Sequence, residues 1–266
     1  MDTELKMHHP PPLLRKAGYW MEKMRWGLKN VGIAPLLKGV ATLGYLHIRR
    51  PRRGEFRLSS GQVLEFGFPN QLPRALLVFG RYVDPEFAFL SRIARPDWIV
   101  ADIGAAIGQF TIFAATLPVA SVHAFEPSAA NVAALRSNVA RNGIADRVKI
   151  HKLALSNDES EAYFETTAST WVSRLSSDGN ELVSVRTLDA EFGRLGLERI
   201  SVLKLNVAGF EPQVMEGAQK FLSEGRADIL ILLLGLPSLV WYKRIAELGY
   251  RFFYYHPNEN RLYEVA

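Results

Sequence analysis

The sequence predicts an α/β fold, with a mostly parallel central sheet, helices on both faces, and a basic, partly amphipathic helical arm in front of it. Three observations lead there. Short apolar runs at 98–103, 121–125, 147–153, 201–205 and 229–234 have the length and composition of buried strands. Amphipathic stretches lie between them, most clearly at 128–141 and 211–222, so the chain alternates strand and helix as parallel sheets require. Finally, the first run ends in Asp102, Gly104 and Gly108 before a new helical pattern, which is a strand–turn–helix signature.

The composition fits this class. A chain of 266 residues that is 48% hydrophobic can bury a full core. It has no cysteine, which excludes disulfides and thiolate metal sites, and its six histidines show no zinc-like spacing, so no metal is expected. Nothing argues for secretion, and a cytoplasmic location is the expectation. The net charge of +5 is unevenly placed. Residues 1–53 hold 11 Lys/Arg and 3 Asp/Glu, a net +8, which leaves 21 against 24, or −3, for residues 54–266. The division into an arm, 1–53, and a main domain, 54–266, follows from that contrast.

Within the arm, Pro10-Pro11-Pro12 cannot continue a helix. From Leu13 onward apolar and basic residues alternate in a helical rhythm that is interrupted near Gly32 and Pro35, and a second apolar stretch runs from Val31 to Ile48. This stretch is too interrupted to span a bilayer, which takes about 20 predominantly apolar residues. With Arg49, Arg50, Arg52 and Arg53 behind it, it is read either as an arm packed on the main domain or as a peripheral membrane contact. Nucleic acid is not an expected partner.

In the main domain, 55–58 and 62–66 flank Ser59-Ser60-Gly61, which has hairpin chemistry. Asp84-Pro85 opens a helix that Pro96 ends. Ser128 is placed to cap the helix after the second strand, and Asn142-Gly143 to stop it. Residues 161–166 and 181–185 read as exposed strands around a Ser/Thr-rich loop that contains Trp171. A helix over 238–248 and a hairpin at Pro257-Asn258 end the chain.

The chemistry is expected where strand order reverses, outside the carboxyl ends of the strands. Asp102, Gly104 and Gly108 follow the first strand, and Glu126 closes the second. Glycines permit sharp turns and close backbone approach, while a carboxylate in the position of Glu126 can accept both hydroxyl hydrogens of a ribose. The D-x-G-x-x-x-G spacing lacks the middle glycine of the dinucleotide fingerprint. It favours S-adenosylmethionine, whose ammonium group an acid can attract, over a nicotinamide cofactor.

Several ordered pieces resemble the FkbM-type S-adenosylmethionine-dependent methyltransferases. They are 100–108, Ala124-Phe125-Glu126-Pro127 with Leu135, Asn138, Asn142 and Gly143, Ala154-Leu155-Ser156, Thr187-Leu188-Asp189, and 204–211 followed by Glu216-Gly217-Ala218. The resemblance implies a Rossmann-like class I methyltransferase fold and O-methylation of a sugar or other hydroxylated small molecule. It also implies that Asp102, Gly104, Gly108 and Glu126 line the cofactor site, with Ala154 and Leu155 beside the adenine. The chain departs from the family pattern where Asn206 replaces an Asp, Ala208 a Glu and Ala106 an Asn. Asn206 cannot act as a base, so Asn206 is assigned to orient the acceptor hydroxyl and Glu211 becomes the candidate proton acceptor. Two functions follow as expectations: an active O-methyltransferase, or a pseudoenzyme that keeps the fold as a binding or scaffold module.

Overall fold

A computed structural model of the chain describes residues 21, 24, 25, 27–29, 31–165, 174, 175, 179–232 and 239–265. Helix α1 (Ile33–Arg49) opens the continuous part. Pro35 lies in its first turn, where an intrahelical N–H is not needed, so the interruption expected at Gly32 and Pro35 is the start of a helix. A hairpin follows, β1 (Arg53–Arg57) against β2 (Val63–Gly67), as the turn chemistry predicts. Helix α2 (Arg74–Phe79) has no counterpart in the sequence reading, because six residues are too few to show a period. Leu36, Gly39 and Leu46 form the buried side of α1, and a Cβ on Gly39 would stand 2.2 Å from the Val78 carbonyl oxygen of α2. Only glycine permits that approach. Helix α3 (Pro85–Ile93) then leads to the sheet.

The central sheet comprises β3 (Ile99–Ile103), β4 (Ser121–Phe125), β5 (Val148–His151), β10 (Ile200–Leu205) and β11 (Ala227–Leu232), in the order β11-β10-β3-β4-β5. Every pairing within it is parallel. Helix α4 (Gln109–Thr116) follows β3, and α5 (Ala129–Arg141) follows β4 with Ser128 as its cap. The apolar strands are buried on both faces, and one cluster of core residues lies on each side of the sheet. Two amides, Asn138 within α5 and Asn142 just past its end, complete the hairpin's hydrogen bonding. Asn138 accepts from the Glu65 N–H and donates to the Glu65 carbonyl, and Asn142 does the same for Val63. Each amide stands in for a neighbouring strand.

The third expected strand, 147–153, forms as β5, and a short strand that the sequence did not predict follows it. β5 ends at His151, and β6 (Ala154–Ser156) joins a second sheet with β7 (Ser160–Glu165), β8 (Arg174–Leu175) and β9 (Glu181–Thr187). Trp171 lies outside the described residues. After α6 (Leu188–Leu195) and β10, the helix expected over 211–222 divides into α7 (Glu211–Glu216) and α8 (Gln219–Ser223). The break falls at Gly217, where a Cβ would meet the Ser156 carbonyl oxygen at 2.0 Å. Asp189, in the first turn of α6, caps α8 by accepting from the N–H groups of Lys220 and Phe221. Helix α9 (Leu239–Glu247) and the hairpin of β12 (Phe253–His256) and β13 (Arg261–Glu264) complete the fold.

Candidate active site

Strand β3 lies between β10 and β4, so the chain crosses to opposite sides after β3 and after β10. A cleft of about 590 Å³ opens at the carboxyl ends of these strands, within the range that holds small molecules and cofactors. The turn after β3 supplies Gly104, Ala105 and Ala106 to its wall, β4 supplies Glu126, and β10 with the loop beyond it supplies Lys204, Asn206 and Ala208. The N-terminal turn of α3 closes it with Asp84 and Glu86.

Asp102 is fully buried beneath this cleft. Its Oδ2 accepts from the Thr111 hydroxyl at 2.6 Å, and its Oδ1 pairs with Lys204 Nζ at 2.7 Å. The pairing follows from register, since Lys204 stands opposite Asp102 across β10 and β3. Lys204 Nζ also donates to the Gly104 carbonyl at 3.1 Å. The acid expected to meet the cofactor therefore holds a lysine, and the lysine, 13% exposed, is the group that faces the cleft. At this point of the wall the cleft meets an ammonium, while Asp84, Glu86 and Glu126 line it elsewhere.

Glu126 does line the cleft and is 4% exposed. Its Oε1 accepts from the Ser128 N–H at 3.0 Å and Asn131 Nδ2 at 3.1 Å, and its Oε2 from the Ala106 N–H at 2.9 Å. A carboxylate offers about four lone-pair positions, so Oε2 keeps one for a ligand. Burial pushes the Glu126 carboxyl above its ordinary range, against the pull of these donors and of Lys204.

Both candidate glycines have left-handed backbone, but protein atoms occupy the space a side chain would need. A Cβ on Gly104 (φ +77°) would lie 2.0 Å from the Asn206 carbonyl oxygen, and one on Gly108 (φ +93°) 2.4 Å from Leu135 Cδ1. Gly104 borders the cleft as well. Gly108 serves packing against α5.

Of the two residues assigned to chemistry, Asn206 is exposed and borders the cleft. Glu211 is 3% exposed, and its two oxygens accept from the N–H groups of Val207 at 2.8 Å and Gly209 at 3.0 Å. It shapes the loop that carries Asn206 and Ala208, with its carboxylate turned to backbone. Ala154 and Leu155, with Ile103, Phe125, Phe164 and Phe210, line a narrow apolar slot. The slot shares Gly104, Pro127, Phe164 and Val207 with the cleft and opens from it.

Three cleft residues escaped the sequence reading as functional groups. Lys204 is the one charged residue on a mostly apolar strand, and that isolated charge was the available signal. Asp84 and Glu86 resembled ordinary first-turn acids of a helix, and only tertiary packing of α3 brings them to the cleft. Among the described residues, no group of three or more His, Asp or Glu is arranged to hold a metal.

A parallel sheet in this order, with helices on both faces and a cleft at the reversal, defines a Rossmann-like class I methyltransferase fold. The chain belongs to the FkbM methyltransferase family: the methyltransferase FkbM domain matches residues 102–252, more than half of its length. It is 49% identical over 55 residues to a 31-O-demethyl-FK506 methyltransferase FkbM of Streptomyces tacrolimicus, covering 20% of this chain and 21% of that protein. It is 29% identical over 178 residues to the AMB antimetabolite synthetase AmbE of Pseudomonas aeruginosa, covering 51% of this chain and 8% of that one. The chain thus spans about a fifth of one of these relatives and less than a tenth of the other. A crystal structure of a methyltransferase FkbM from Methylobacillus flagellatus KT aligns at TM-score 0.47 and 16% identity, over 71% of this chain and 52% of that one.

Proposed function

We propose that the chain transfers a methyl group from S-adenosylmethionine to a hydroxyl of a small molecule or sugar in this cleft. The observation that carries the reading is an apolar slot opening beside Glu126, which retains an acceptor position. The slot suits a purine, Oε2 of Glu126 one hydroxyl of the ribose, and the Lys204 ammonium the carboxylate of the methionine portion. When bound, the cofactor would supply an electrophilic methyl group for the acceptor oxygen, with its sulfur as the leaving group that keeps the electron pair. The protein's contribution is positioning and proton removal. Asn206 orients the acceptor hydroxyl, and Asp84 or Glu86 takes its proton. Glu211 supports the loop.

Calorimetry with S-adenosylmethionine and its demethylated product tests this directly. Binding is expected to weaken in Glu126→Ala, and turnover to fall about 10²–10⁴-fold in whichever of Asp84→Asn and Glu86→Gln removes the base. Absence of binding at millimolar ligand sinks the proposal. One observation favours a binding module instead: Ala106 and Ala208, both on the cleft wall, present only methyl groups. Binding without turnover on any hydroxylated acceptor would select that reading.

A further inference from the structure

Helix α1 is anchored on one side and apolar on the other. Its buried side, Leu36, Gly39 and Leu46, packs on the body of the protein. On the opposite side Ile33, Leu37, Val40 and Ile48 are 66%, 65%, 48% and 82% exposed. Ala41 and Gly44, also exposed, fill the intervals. These positions recur every three or four residues and share one stripe, which an α-helix in water normally gives to polar residues. Lys38 and Arg49 edge the stripe, and Arg50, Arg52 and Arg53 follow directly behind it, all exposed.

We propose that this stripe, with its basic border, docks the protein on an anionic lipid surface, the helix lying in the plane of the interface. The helix has 17 residues, and among the described residues no helix is long and apolar enough to cross a membrane. An apolar face flanked by Lys and Arg is the pattern of helices that lie on bilayers. Charge selects the lipid surface over a second copy of the chain. Residues 1–53 carry +8, so self-docking through the stripe brings two strongly positive segments together, whereas an anionic leaflet offers the opposite sign.

The test is cosedimentation of the full chain with phosphatidylcholine vesicles with and without about 30% phosphatidylserine. Partition is expected to be at least about tenfold higher on the anionic vesicles and to decline as salt shortens the Debye length. The exposed-face variant Ile33→Ser/Leu37→Ser/Ile48→Ser should lose at least about tenfold in partition with unchanged thermal unfolding. Lys38→Gln/Arg49→Gln/Arg52→Gln should bind anionic vesicles less and leave neutral vesicles unaffected. Equal partition on the two vesicle types, no partition at low salt, or a serine variant that binds like the parent overturns the proposal. So does a dimer in light scattering that the serine variant dissociates, which assigns the stripe to a second copy.

Discussion

Two alanines and a histidine show what single positions cost this protein. Ala106 (φ +50°) and Ala208 (φ +55°) hold left-handed backbone, a conformation that strains any residue with a Cβ. Replacing either by glycine should stabilise the fold by about 0.5–1 kcal/mol, read as a higher urea midpoint at constant slope. An unchanged or lower midpoint would show that the surrounding loops relax the strain. His123 is buried beside His151, with facing nitrogens 3.1 Å apart, and its Nε2 has no hydrogen-bond partner among the described residues. Burial first, then the His151 and Lys149 charges, lower its pKa from 6.5 to about 4. The folded value lies below the unfolded one, so the stabilisation is complete above pH 6.5 and is lost as the pH falls from there toward 4. Unfolding in that window should take up about one proton more in the parent than in His123→Gln. Equal pH dependence of their urea midpoints would remove His123 from the account. The sequence showed His123 on a strand. That its neighbour in space is another histidine depends on the register of β4 and β5, which no local pattern encodes.

At the scale of elements, the sheet is joined at its centre by an ion pair. Lys204→Met should cost about 3–5 kcal/mol, because it leaves Asp102 charged and unpaired in a fully buried position. Asp102→Asn combined with Lys204→Met should recover much of that loss in denaturant titrations. Additive losses would mean that the two residues act separately. Strand and helix identities for β3, β4, α4, α5 and β10 were legible because long apolar runs, a capping serine and paired glycines act locally. The six-residue α2, the three-residue β6 and the break at Gly217 were not, because each depends on a contact made elsewhere. Site residues divide the same way. Glu126 and Gly104 follow from motif and strand end, whereas the engagement of Glu211 with loop N–H groups and the arrival of Asp84 and Glu86 require the folded chain.

For the molecule as a whole, the cleft, the slot and the basic helix must act on one stability. A ligand that binds only the folded state at 100 times its dissociation constant adds about 2.7 kcal/mol. The demethylated cofactor should therefore raise the melting temperature in the parent and not in Glu126→Ala. A shift of equal size in both would place the ligand elsewhere. The contact of Gly39 with the Val78 carbonyl bears on how such a molecule meets its surroundings. It seats the backbone of α1 directly on α2, with no side chain between them. If the protein docks through its outer stripe as proposed, the mouth of the cleft would stand at a preferred height and tilt above the surface. Acceptors would be sorted by whether their hydroxyl can reach that height, a selection made by orientation before any side chain in the cleft is touched.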